Sequence, residues 1–290
     1  MLRLEGLKLP LEAEQEQLKT KAAAVLRCRA GDITGVQVLR RAIDARDGLR
    51  FVYTVAVTVK DEARLLKRCR DRHMSRYVPE TYALPPAVTA PDMPPVVVGM
   101  GPAGLFAALV LARCGARPIL LERGQCVERR QQDVERFWQS GVLDTESNVQ
   151  FGEGGAGAFS DGKLNTGTKD VRHRYIMEQL VACGAPEDIL WDAKPHVGTD
   201  MLHIALQNMR RELLSLGADI RFGHKLTGVT VEGGALAALA VEGPEGAYML
   251  PCRHALLALG HSARDTVEML HGAGVAMTAK PFAVGVRIEH

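Results

Sequence analysis

Two glycine-rich segments carry the residue types and spacing that could do chemistry. The first, Gly99-Met-Gly101-Pro102-Ala103-Gly104, is a Gly-x-Gly-x-x-Gly run between the apolar stretch that begins at Val96 and a run of helix formers. In a strand–turn–helix setting this spacing serves a nucleotide pyrophosphate. Gly99 permits the tight turn, Gly101 lets backbone approach the phosphates, and Gly104 lets helix and strand pack closely. Pro102 suits a first helical turn, where its missing N–H is not needed. The free N–H groups of that turn and the positive end of the helix dipole favour a diphosphate. The dipole contributes only about 0.3–1 kcal/mol, so geometry sets the specificity. Glu122, eighteen residues after Gly104 and followed by Arg123, is placed to accept both ribose hydroxyls of an adenosine. Its charge would repel a 2′-phosphate, which disfavours NADP at this site.

The second segment, "FGEGGAGAFSDGKLNTG" at 151–167, puts six glycines into seventeen positions. That composition is costly in backbone entropy unless something must approach the chain closely. Gly157 to Lys163 fits the opening of a nucleoside-triphosphate P-loop, but Leu164 stands where Ser or Thr should hold magnesium. A P-loop ATPase or GTPase is therefore disfavoured. The better reading is a second wall over a cofactor already seated on the first motif, offering backbone N–H donors. Gly154, Gly155, Ala156 and Gly157 would allow the approach, with Ser160 and Lys163 as polar and cationic contacts.

The remaining chemistry-bearing residues form no recognisable constellation. Six cysteines (Cys28, Cys69, Cys114, Cys126, Cys183, Cys252) lie singly, with no Cys-x-x-Cys, and read as free thiols in a reducing compartment. Nine histidines show no ligand spacing, so no metal is expected. His196, Asp200 and His261 follow strand or loop ends and are the catalytic candidates. Structural hydrogen bonding is the competing role for each.

The elements that must position these residues fall into two blocks. Residues 1–77 read as a small α+β domain: a strand in "MLRLEGLKL", a helix over 10–27, a hairpin over 33–59 turning at Asp47-Gly48, and a basic helix over 61–73 capped by Asp61. Six prolines between 78 and 95 mark an extended linker. From 96 to 290 strands alternate with helices: a strand in "VVVGMG", a helix over 102–114 capped by Gly115, a strand in "RPILLE", a helix entered at Thr199 or Asp200 and closed by Gly217, and a strand in "ADIRF". The rhythm then breaks into three strands with turns at Gly233-Gly234 and Gly243–Gly246, running into the strand "HALLALG". A further strand is expected in "PFAVGVRIEH".

FAD and NAD share an ADP half, and the glycine fingerprint does not separate them. The three-strand crossover resembles the β-meander of flavoproteins with the glutathione-reductase-like fold, and "ALLALGHSA" resembles the glycine-containing strand end, here Gly260, that returns to the cofactor. The resemblance implies a Rossmann-like FAD-binding domain. More specifically, "SNVQFGEGGAGAFSDGKLNTGTKD", "KPHVGTD", "ALGHSARDT" and "KPFAVGVRIEH" together resemble bacterial FAD-dependent dehydrogenases with a small N-terminal domain. That resemblance implies flavin-site roles for Gly99, Gly101, Gly104, Glu122 and Gly154–Gly157, and a further segment beyond His290. It names no substrate.

The sequence therefore points to an FAD-dependent oxidoreductase moving hydride between an unidentified small molecule and flavin, with NAD(P)H as a candidate co-substrate. Composition adds bounds: 47% hydrophobic, 24% charged and a net charge of +2 give no whole-chain preference for nucleic acid or acidic membrane. No apolar run reaches the roughly 18 residues of a membrane span, and no signal-peptide core opens the chain, so a cytoplasmic location is expected. Two rival readings stand. One is an RNA-binding or RNA-modifying flavoprotein using the seven Lys/Arg of 60–76. The other is a non-catalytic, FAD-holding redox sensor.

Overall fold

The computed structural model describes residues 1–14, 16–46, 48–68, 73–160, 162–164, 168–281 and 285–286. The chain divides into two compact units, Met1–Leu84 with Gly157–Met209, and Pro85–Ala156 with Arg210–His290. The sequence suggests one uninterrupted domain from 96 onward. Residues 157–209 instead group with the N-terminal block, to which Asp192 is tied by Arg41.

The N-terminal block runs β1 (Leu2–Pro10), α1 (Glu16–Leu26), β2 (Ile33–Asp44), β3 (Arg50–Val59), α2 (Glu62–Arg68) and β4 (Met74–Arg76). Its antiparallel sheet has the order β2-β3-β1-β4, the split β-α-β-β-α-β arrangement. Alternation in β1 sends Leu2, Leu4, Leu7 and Leu9 into a core shared with Leu18, Ala22 and Leu26 of α1 and Val55 and Val57 of β3. The first helix begins six residues later than its composition suggests, at Glu16. Asp61 accepts the Arg64 N–H at 3.0 Å and starts α2 as expected. Asp47 of the hairpin turn and residues 69–72 of the basic helix, with Cys69, lie outside the described residues.

The second unit opens on residues 85–95, which dock rather than hang free: the Val88 N–H donates to the Cys114 carbonyl at 2.8 Å. Next come β5 (Val96–Val98), α3 (Pro102–Arg113), β6 (Ile119–Glu122) and α4 (Val127–Ser140). Residues 157–209 contribute α5 (Val171–Ala182), started by the Asp170 side chain, and most of α6 (Thr199–Ser215). The second unit then resumes with β7 (Asp219–Phe222), β8 (Lys225–Glu232), β9 (Ala235–Gly243), β10 (Gly246–Pro251), β11 (Ala255–Leu257) and α7 (Arg264–Gly272). β5, β6, β7 and β11 form a parallel sheet of order β11-β5-β6-β7. β8, β9 and β10 form an antiparallel meander with the two turns read from the glycines. A shared core of Val96, Val98, Ile119 and Leu121 with Leu226, Leu239 and Val241 joins sheet to meander. Of the strand expected over 281–290, residues 282–284 and 287–290 lie outside the described residues. Among the described residues no helix is long and apolar enough to cross a membrane.

Candidate functional site

A cleft of about 430 Å³ opens at the carboxyl ends of the parallel strands, lined by the last residues of β5, β6 and β11: Val98, Glu122 and Leu257. Such an edge is where open α/β sheets take their ligands. Gly99, Gly101, Pro102 and Ala103 line one side, so the amino end of α3 faces the cleft. The glycines are dictated by packing. Gly99 has φ +99°, and a Cβ there would lie 2.4 Å from the Ala258 carbonyl oxygen. A Cβ on Gly104 would lie 1.8 Å from the Gly99 carbonyl oxygen, so helix and turn could not pack as they do. At Gly101 an added Cβ would meet only the Gly155 Cα, at an ordinary 3.7 Å. Gly101 is thus open on the structural side, unlike its two neighbours in the motif.

Glu122 is buried, and backbone already occupies most of its carboxylate. It accepts N–H groups from Met100 at 2.7 Å, Gly124 at 2.8 Å and Gly152 at 3.0 Å. An ionised carboxylate offers roughly four acceptor sites. Three are filled, which leaves about one for a further donor.

The second glycine run also differs from its expected form. The N–H groups of residues 152–155 are not free donors awaiting a ligand. Gly152 donates to Glu122, Glu153 to the Gln125 carbonyl, Gly154 to the Met100 carbonyl, and Gly155 to the Gly152 carbonyl. The glycines are there for closeness: a Cβ on Gly155, at φ +61°, would lie 3.1 Å from the Gly101 Cα. Gly155 and Ala156 line the cleft, whereas Gly154 is tied behind it to Met100.

Sequence reading missed the residues that brace this run from below. Arg130 of α4 is fully buried, and its guanidinium donates to the carbonyls of Asn148, Glu153 and Gly155 at 2.7–2.8 Å. Burial pulls its pKa down to about 10, against the opposing charges of Glu122 and Glu153. Glu153, also fully buried, accepts the Val127 N–H at 2.8 Å and Arg210 at 2.6 Å. Burial pushes its carboxyl up to about 7 despite those two partners. The segment "VERRQQDVERFWQS" is so rich in charge that nothing in its composition marks Arg130 as buried.

Arg123 sits at the cleft edge with its charge already matched. It lies over the Phe151 ring at 4.1 Å and bonds both Glu146 and Asp265. Lys225 joins the same two carboxylates. Burial opposes the Arg123 charge, but the two carboxylates outweigh it and hold the group above its usual value. Gly260 and His261 also line the cleft, and Ser262 donates to Gln150 at 2.9 Å.

The other predicted residues belong to the first unit. There the Ser160 hydroxyl donates to the Gly157 carbonyl, and Lys163 pairs with His196 as a β-bridge. Gly162 at φ +66° packs on Gly198, whose own Cβ would meet Asp200 at 3.0 Å. The later part of the glycine run is therefore a paired structural segment, with Asp161 and 165–167 outside the described residues.

Residues 1–59 match a family model described as a domain of unknown function, DUF8436. The whole chain aligns with an uncharacterized protein of Clostridium beijerinckii at 43% identity over 292 residues, and spans 54% of that relative's length. Among solved structures, THI4 of Thermovibrio ammonificans shares 17% identity, with 63% of this chain and 64% of that one covered at a TM-score of 0.42. A 3-ketosteroid-Δ4-(5α)-dehydrogenase from Rhodococcus jostii shares 16%, covering 66% and 51% at a TM-score of 0.40. An aklavinone-11 hydroxylase in complex with FAD and aklavinone shares 20%, covering 62% and 36% at 0.32.

Proposed function

We propose that the second unit binds FAD and that the protein is an FAD-dependent oxidoreductase. The observation that carries this reading is the strand–Gly99-x-Gly101-x-x-Gly104–helix turn at the carboxyl edge of a parallel sheet. Buried Glu122 ends the next strand, and a β-meander leads into β11. The residues present fit the group. The glycine-walled cleft admits a pyrophosphate against the first turn of α3, whose N–H groups have no intrahelical acceptor. Glu122 holds one ribose hydroxyl with its remaining acceptor site. When bound, FAD supplies the centre that exchanges hydride with an unidentified small molecule, with NAD(P)H as candidate co-substrate.

The chain's own part is positional. Gly101 and Gly155 set the width of the cleft, Glu122 fixes both glycine segments to one carboxylate, and Arg130 holds the carbonyls of Asn148, Glu153 and Gly155. His261 is the titratable side chain of the predicted catalytic set that lines this cleft.

The test is the absorption spectrum of the purified protein, followed by anaerobic titration with NADH and NADPH. Flavin bands that release as FAD on denaturation, and that bleach with one nicotinamide, support the reading. A colourless protein that takes up neither FAD nor ADP refutes it.

A further inference from the structure

Glu153 occupies an unusual place in the glycine run. Gly152 and Gly155, on either side of it, line the cleft, while its own side chain turns inward and is fully buried. There its Oε2 accepts the first N–H of α4, from Val127, and one arm of Arg210 on α6. Its backbone N–H is held by the Gln125 carbonyl and its carbonyl by Arg130. Four separate anchors thus hold this residue behind the run. The second carboxylate oxygen, Oε1, has no hydrogen-bond partner among the described residues.

We propose that Glu153 is a positioning residue for the dinucleotide, gripping the glycine run from behind, and that a diphosphate entering the cleft drives a proton from solvent onto Glu153 Oε1. This rests on the reading of the cleft as a dinucleotide site. The charges facing Glu153 explain the coupling. Arg210 is shared with Glu128 of α4, Glu122 of β6 and Cys126 stand nearby, and Arg130 donates through Nε and Nη1 to carbonyls. Three carboxylates therefore face two guanidiniums before any anion arrives. A diphosphate deepens that excess of negative charge, and the carboxylate with a spare oxygen relieves it most readily. Burial already brings this group close to neutrality, at about 7, so a small further rise changes its occupancy at physiological pH. Oε2 keeps its grip on Val127 while Oε1 carries the proton.

The experiment is calorimetric titration of the flavin-free full chain with FAD and with ADP, near neutral pH, in two buffers of different ionisation enthalpy. Net proton uptake is expected for the wild type and should vanish in Glu153→Gln, which keeps an acceptor for Val127 but cannot titrate. Uptake that persists in Glu153→Gln places the proton elsewhere than on Glu153 and overturns the proposal. Uptake with ADP but no FAD binding keeps the proposal and refutes the flavin; binding of neither refutes both. Amide exchange tests the grip. Glu153→Ala should speed exchange at residues 152–155 by roughly tenfold or more, with Glu153→Gln restoring slow exchange. Unchanged exchange in Glu153→Ala removes the positioning role, and should that variant not fold, the proton count in Glu153→Gln still decides.

Discussion

Gly152 donates its N–H to Glu122 across 3.0 Å, although the two residues lie thirty positions apart in the chain. That one bond makes the second glycine run a structural partner of the first. The same carboxylate also holds Met100, inside the first glycine motif, and Gly124. A residue whose sequence position suggests a purely ligand-facing role is thus the hub of the local backbone.

Glu122→Ala should accordingly destabilise the protein itself. Three buried N–H groups lose a charged acceptor, at about 1–3 kcal/mol for each left unsatisfied, so a loss of at least ~3 kcal/mol is expected. Urea unfolding of the flavin-free protein measures it. Affinities for FAD and FMN should both fall, because Gly152 is released in either case. A variant with the wild-type urea midpoint and weaker FAD binding alone would show that Glu122 acts only on adenosine.

Gly101 and Gly104 should respond oppositely to the same substitution. Gly101→Ala adds a methyl at ordinary contact distance from Gly155, so the fold should survive within about 1 kcal/mol. The methyl would occupy the phosphate approach, and flavin should be lost. Gly104→Ala drives a methyl into the Gly99 backbone and should cost several kcal/mol, of order 3 or more, as strained overpacking does. Thermal melting with and without FAD separates the two effects. Equal melting temperatures for both variants would contradict the packing argument.

These contrasts show what the sequence carries. The turn at Gly233-Gly234, the capping glycine Gly115 and the apolar strand Val96–Val98 are local features, written in neighbouring residues, and they form as read. The burial of Arg130 and Glu153 is not local. It arises only when α4, α6 and the glycine run meet, and no periodicity announces a buried charge whose partners are backbone carbonyls. The grouping of residues 157–209 with the N-terminal block depends on similarly distant pairings, such as Arg41 with Asp192. The linker prolines are local, but their docking on the end of α3 is not.

Acid should loosen the cleft edge. Hydrogen bonding from Arg123 holds Asp265 well below its usual value of 3.8. Arg123 and Lys225 do the same for Glu146, against the opposing effect of its burial. A carboxyl with a depressed folded pKa contributes stability that is complete above the unfolded value and is lost as pH falls through the folded one. Wild type and Asp265→Asn should therefore differ in melting temperature near neutrality and converge as pH drops below about 4. High salt should shrink the difference, since Asp265 and Glu146 are partly exposed. A difference that persists at the lowest pH would mean that the aspartate acts through packing.

The last prediction concerns where a bound flavin would be felt. Residues 152–155 already have acceptors for all four N–H groups, two of them supplied by Glu122 and Met100. Their amides should exchange slowly without cofactor, and FAD should change them little. The first turn of α3 is the reverse case. Pro102 has no N–H, and those of Ala103 and Gly104 have no acceptor within the helix, as at any helix start. Phosphate oxygens would supply those acceptors, so FAD should slow exchange at Ala103 and Gly104 most of all. Hydrogen exchange read at single residues tests both halves. Strong FAD protection at 152–155 with none at Ala103 and Gly104 would move the phosphates from α3 to the glycine run, and the cleft would have to be read from its other wall.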